Sequence, residues 1–188
     1  MFIVACWAAF WAFLAVGSVK TKRTVEGSRL WIWWGGGWWT RLVFLIIVVG
    51  FVAISAAFGG GSNFIPHRGL ATEIAADVVT FVGFVVAVWA RSVLGGNWSA
   101  GVTFKERHDL IQRGPYRYVR HPMYSGLLLS VLGLVIWFGR VNTLAVFLIS
   151  FAGVLLRSRQ EEKLLTVHFS TAYPEYRKRT KALIPFVL

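Results

Sequence analysis

The chain has 188 residues, a mean hydropathy of +0.61 and 56% hydrophobic residues, too apolar for an ordinary soluble domain and too short for two large ones. Its net charge of +12 is concentrated between apolar runs, the pattern of cytoplasmic loops rather than of a nucleic-acid-binding surface. Cys6 is the single cysteine, which excludes an intramolecular disulfide and any multi-cysteine metal site.

The first apolar run, Phe2 to Val19, is long enough to cross a bilayer at about 1.5 Å per residue. No cation precedes it, so it reads as a retained span rather than a cleavable signal. A basic loop carrying Lys20, Lys22, Arg23 and Arg29 leads into Trp31, Trp33, Trp34, Trp38 and Trp39, set around Gly35-Gly36-Gly37. That cluster suits the headgroup boundary, where indole rings concentrate, better than it suits cofactor stacking. A second span is expected from Leu42 to Phe58, then a nearly neutral break from Gly59 to Pro66, then a third span from Ile74 to Leu94.

From Gly95 to Met123 the chain is polar and reads as lying outside the membrane. Tyr124 to Leu156 is an apolar stretch of about 33 residues, interrupted by Gly139-Arg140-Val141-Asn142. As one straight helix it would measure about 50 Å against a hydrocarbon core of about 30 Å, so a helical hairpin turning near Arg140 is predicted, each arm about 15 residues long. After Leu156 the chain is charged through to the C-terminal segment.

The expected fold is therefore an all-α integral membrane protein of about five transmembrane helices, the last two a hairpin, forming one domain over residues 1–188. The basic loops at 20–41 and 91–120 and the basic tail fall on one side, which places the N-terminus outside and the C-terminus in the cytoplasm. Two polar segments, 95–124 and the tail, then share the cytoplasmic face.

The stretch Arg113-Gly114-Pro115-Tyr116-Arg117-Tyr118-Val119-Arg120-His121-Pro122-Met123-Tyr124 is the first candidate site. Polar, proline-stiffened backbone beside lipid is costly unless it is buried in protein or lines a cavity. His108 and His121 lack cysteine or paired-carboxylate neighbours in sequence, so hydrogen bonding to a ligand fits them better than zinc. Tyr116 and Tyr124 offer ring faces to a cation, or serve as interfacial anchors. The second candidate is Arg157-Ser158-Arg159-Gln160-Glu161-Glu162. On a helix Arg157 and Glu161 pair at i,i+4, and Glu162 lies about 100° further round, able to face inward.

Together these segments resemble the isoprenylcysteine carboxyl methyltransferase family, which is similar in turn to the phospholipid N-methyltransferases. The matching pattern is His108, Leu110-Ile111, Gly114-Pro115-Tyr116, Arg120-His121-Pro122-x-Tyr124 and Gly126, then Arg157 with Glu161-Glu162, then His168-Phe169, Tyr173, Tyr176 and Pro185. It covers about residues 95 to 188. The resemblance implies S-adenosylmethionine as methyl donor, leaving S-adenosylhomocysteine, and a lipophilic acceptor entering from the bilayer. Carried over, it implies a cofactor site of His108, Leu110, Ile111, Tyr116, His121, Pro122, Met123, Tyr124 and Glu162. It implies a catalytic role for Arg157 or Arg159, orienting an acceptor carboxylate such as that of a prenylated cysteine; an amine or thiol acceptor would instead need a base, for which Glu161, Glu162 or His121 is a candidate. No metal is expected. Two rival readings stay open: an NADPH-dependent sterol-type membrane reductase, which shares an Arg-His-Pro-x-Tyr segment, and a membrane scaffold whose basic loops bind anionic lipid.

Overall fold

The structure is a computed structural model that describes residues 5–10, 12–13, 69–97 and 109–185. The tryptophan cluster, the second span and His108 lie outside the described residues, as does most of the first span. The described parts of that first run, 5–10 and 12–13, are helical. Four further helices follow: α1 (Leu70–Leu94), α2 (Pro122–Phe138), α3 (Val141–His168) and α4 (Ala172–Arg179). Short 3₁₀ turns at Gly95–Asn97 and Gly114–Arg117 complete the helical content of the described residues.

α1 carries Glu73 in its first turn and Arg91 in its last, the arrangement that complements the helix dipole. It is the expected third span, begun one turn earlier at Leu70. The predicted hairpin is present. α2 stops at Gly139, whose φ of 56° closes the last turn by donating from its N–H to the Val135 carbonyl, and Arg140 caps the start of α3. The arms are 17 and 28 residues long, so α3 greatly exceeds the expected 15. The charged stretch after Leu156 does not end it, because i,i+4 pairing of Arg157 with Glu161 supports continued helix. At 1.5 Å per residue α3 is about 42 Å long, so its charged end extends beyond a bilayer core.

α1 and α2 pack along a seam of small residues. A Cβ added at Gly126 would come within 2.5 Å of the Gly83 carbonyl oxygen and 2.7 Å of the Ala87 nitrogen. One at Gly133 would lie 2.9 Å from the Ala76 carbonyl and the Thr80 nitrogen. Ser130 Oγ sits in the same seam and donates to the Gly126 carbonyl at 3.0 Å, with the Thr80 carbonyl of α1 at 3.3 Å. Such close backbone approach is how helices associate where lipid supplies no hydrophobic drive. Against α1, Phe10 stacks on Phe84 at 4.9 Å and Trp7 meets the same ring edge-on at 5.0 Å.

The outer faces are apolar. Val78, Phe81, Val85 and Trp89 of α1 and Leu144, Leu148, Ile149 and Leu156 of α3 are all exposed. The helices Leu70–Asn97 and Val141–His168 are long and apolar enough to cross a membrane, and exposed large side chains are what lipid contact requires.

Candidate functional site

Pro122 occupies the first turn of α2, where its missing N–H costs no hydrogen bond and its fixed φ suits the helix. His121, as N-cap, keeps a non-helical backbone with φ −126°, so residues 119–121 are free to pair with another strand of chain. The C-terminal segment supplies it: Val119 and Lys181 form a parallel bridge. The Arg120 N–H donates to the Lys181 carbonyl at 2.8 Å and the His121 N–H to the Ala182 carbonyl at 3.0 Å. The Arg120 guanidinium donates to the Thr180 carbonyl, and Ser125 Oγ donates to that of Leu183 at 2.5 Å. Four consecutive carbonyls of the tail thus hold one short motif in place.

α3 brings its acidic pair against that motif. Glu162 Oε1 accepts from Arg120 Nε at 2.7 Å, with both side chains about nine-tenths buried. A charge-assisted bond of that length in a buried setting is among the stronger polar contacts a protein makes. Arg177 of α4 adds a longer contact, 3.6 Å to Glu162 Oε2. His121 lies between the carboxylates, its Nδ1 3.5 Å from Glu161 and its Nε2 3.5 Å from Glu162. At that distance the interaction is mainly Coulombic, and Nε2 is buried without a hydrogen-bond partner. Glu161 accepts from the Tyr124 hydroxyl at 2.5 Å, and the same hydroxyl accepts from Arg157 Nε at 2.6 Å. Arg157 also reaches Glu161 at 3.4 Å, and the His121 and Tyr124 rings stack at 5.7 Å.

The electrostatics follow from this packing. Burial is the largest influence on His121 and opposes its charged form, but attraction to Glu161 and Glu162 together outweighs it, so its pKa rises above the ordinary value. Burial, then Glu161 and Tyr176, push the Tyr116 hydroxyl far up, so it stays a neutral donor. The Tyr176 hydroxyl, pushed up to about 12 mainly by burial, donates to the Tyr116 carbonyl at 2.6 Å. Tyr173 is 1% exposed, and its hydroxyl, raised by burial and then by Glu162, has no hydrogen-bond partner.

Of the residues the sequence singles out, His121, Tyr124, Arg157, Glu161 and Glu162 converge. Tyr116 is buried beside them, and Pro122 is buried as the start of α2. Leu110 and Ile111 are half-buried in irregular chain ahead of the Gly114 turn. Met123 packs against the Phe10, Phe84 and Ala87 cluster. Arg159 is exposed, whereas Arg157 touches both Tyr124 and Glu161, which separates the two arginines that the sequence leaves equivalent. Sequence reasoning did not assign Arg120, the main partner of Glu162, or Tyr173. Arg120 sits inside the recognised motif, and Tyr173 with Tyr176 forms an i,i+3 aromatic pair, so both carried a signal.

The family model for phospholipid methyltransferase matches residues 71–172, from α1 to the start of α4. The chain belongs to the phospholipid methyltransferase family. All of the converged residues lie inside the match. Among similar proteins, the probable protein-S-isoprenylcysteine O-methyltransferase of Oryza sativa subsp. japonica is 30% identical over 125 residues, 66% of this chain and 63% of that protein. The protein-S-isoprenylcysteine O-methyltransferase of Schizosaccharomyces pombe is 36% identical over 126 residues, 56% of this chain and 53% of its own. The chain thus spans between about half and two thirds of the length of these relatives. A solved structure of a eukaryotic intramembrane Ras methyltransferase, an isoprenylcysteine carboxyl methyltransferase, shares the fold of this family member. Its TM-score is 0.59 at 23% identity, covering 78% of this chain and 52% of that one.

Proposed function

We propose that this chain is a single-domain, multi-pass membrane enzyme that transfers a methyl group from S-adenosylmethionine to the carboxylate of a lipophilic, prenylcysteine-like acceptor drawn from the bilayer. The observation that carries the reading is the buried cluster in which Glu161 and Glu162 of α3 close on His121 and Tyr124 at the start of α2. The topology follows the charge distribution: about five spans, N-terminus outside, and this cluster on the cytoplasmic face.

The residues present suit the donor. It is a cation with a free amino group, and two carboxylates stand together where it would bind. His121 Nε2 and the Tyr173 hydroxyl are buried polar atoms without hydrogen-bond partners, the atoms a ligand rich in donors and acceptors would satisfy. Glu162, His121, Tyr116 and Tyr124 would hold it, with His108, Leu110, Ile111, Pro122 and Met123 completing the surround. When bound, it supplies a methyl group already activated on a sulfonium centre.

The remaining task falls to the chain. Arg120 fixes Glu162, and Tyr124 fixes both Glu161 and Arg157. Arg157 lies where the apolar length of α3 meets its charged end, so it can grip an acceptor carboxylate whose hydrocarbon tail stays in lipid. Such an acceptor is already ionised and needs no general base, so the rate depends on alignment and exclusion of water. The test is radiolabelled methyl transfer to a farnesylated cysteine with a free carboxylate, beside the same compound as its carboxamide. Labelling of the acid alone, reduced about a hundredfold or more in Arg157→Ala, supports the reading. Equal labelling of the carboxamide, or full activity in Arg157→Ala, would refute the role given to that arginine.

A further inference from the structure

Beside the glutamate cluster lies a concavity of about 350 Å³, walled by Arg117, Arg120, Arg177, Lys178, Arg179 and Lys181, with Tyr118, Thr180 and Pro185 completing it. None of His121, Tyr124, Glu161 or Glu162 lines it. Against its six cations, two carboxylates among the described residues come within ion-pair range, Glu162 on Arg120 and Arg177, and Glu175 on Lys178. The Lys178–Glu175 pair is solvent-exposed on both sides and neutralises little. Arg117 and Lys181 are exposed and form no ion pair among the described residues.

The cations come from two parts of the chain far apart in sequence, the Gly114–Arg117 turn with its following strand, and α4 with the tail. The parallel Val119–Lys181 bridge brings them to one wall. Like charges gathered in this way repel one another unless an anion is shared between them, and the focused positive potential of a cleft concentrates anions. The surroundings indicate where the anion comes from. Tyr118, which lines the cleft, is 58% exposed, an amphipathic aromatic side chain suited to the headgroup level of a bilayer.

We propose that this cleft binds the phosphate of an anionic membrane lipid, seating the tail segment against the bilayer surface. The cleft adjoins the methyl-donor cluster through Arg120 and Arg177, which also pair with Glu162, but its other cations do not, and the proposal does not depend on the methyl-transfer reading. It is recognised by charge, so an anionic headgroup is accepted and a zwitterionic one is not.

The test uses the full chain in detergent, melted with dioctanoyl phosphatidylglycerol, with dioctanoyl phosphatidylcholine, or with inorganic phosphate at the same concentration. Phosphatidylglycerol raises Tm, and the other two do not. The shift fades as salt rises from about 0.15 M to about 1 M, where the screening length falls from about 8 Å to about 3 Å. In Arg117→Gln/Lys181→Gln the concentration of phosphatidylglycerol needed for half the shift rises about thirtyfold, from about 1 kcal/mol per cation. The lipid-free Tm does not fall, since repulsion among the cations is relieved, and the affinity for S-adenosylhomocysteine stays at the wild-type value. If that double variant does not fold, Arg117→Gln alone is used, with about a fivefold rise expected. A shift with phosphatidylcholine would overturn recognition by charge, and an equal shift with inorganic phosphate would overturn the lipid as source. An unchanged response in the variants would overturn the location, and weakened S-adenosylhomocysteine binding would return the cleft to the donor site.

Discussion

α2 is used twice, and its two faces obey different physics. Gly126, Ser130 and Gly133 meet α1 in a dry seam where backbone touches backbone. Two residues away from Gly126, about 200° round the helix, Tyr124 meets α3 in a cluster of charges. The seam is specified by what is absent at Gly126 and Gly133, where a side chain larger than hydrogen would meet the α1 backbone. The cluster is specified by what is present, because each charge there is held by a named partner. Stability should therefore be sensitive to volume on one face and to charge on the other, and function should track only the second.

The largest expected effect comes from Arg120→Ala. It leaves Glu162 buried without its closest cation and releases the Thr180 carbonyl, so a loss of about 3–5 kcal/mol is expected by thermal or chemical unfolding in detergent. Gly126→Ala comes next, at about 1–3 kcal/mol, because its new methyl group meets the backbone of Gly83 and Ala87 rather than a flexible side chain. If the seam and the cluster are independent, whatever Gly126→Ala protein folds should bind S-adenosylhomocysteine normally. Smaller still, Tyr176→Phe removes one hydrogen bond to the Tyr116 carbonyl and should cost about 1 kcal/mol.

The smallest effect is a pH dependence. The folded-state pKa of His121 is raised, so the folded protein holds a proton that the unfolded chain has released over the interval between the two values. The stabilisation is fully present below the unfolded value of about 6.5 and is lost as pH rises through the folded value. Tm should fall by a few degrees over that alkaline interval, and His121→Asn should flatten the slope. A Tm that rises over the same interval in the wild type would show that the carboxylates do not hold the imidazole as a cation.

How much of this could be read from the sequence differs between the two faces. The hairpin turn was legible because Gly139-Arg140 interrupts an apolar run too long for one span. That the 113–124 and 157–162 segments share one face was legible because polar residues at helix ends stand out against an apolar background, while the family resemblance supplied the particular residues His121, Tyr124, Arg157, Glu161 and Glu162. The seam was not, since glycines in a membrane helix mark close approach without naming the partner. The tail was not either: Thr180 to Leu183 act through backbone carbonyls, which are indifferent to side-chain identity. The choice between Arg157 and Arg159 needed helix phase relative to Tyr124, which spacing along one chain cannot supply.

The central claim, that the acidic pair and the His121–Tyr124 motif form one methyl-donor site, is tested most directly by calorimetric titration of S-adenosylhomocysteine into detergent-solubilised wild-type protein and Glu162→Gln of unchanged helical content. The account predicts saturable binding to the wild type and affinity at least about tenfold weaker in the variant, the scale expected when a charged partner of a ligand is neutralised. Absence of binding to the wild type, or equal binding by the two proteins, would contradict it.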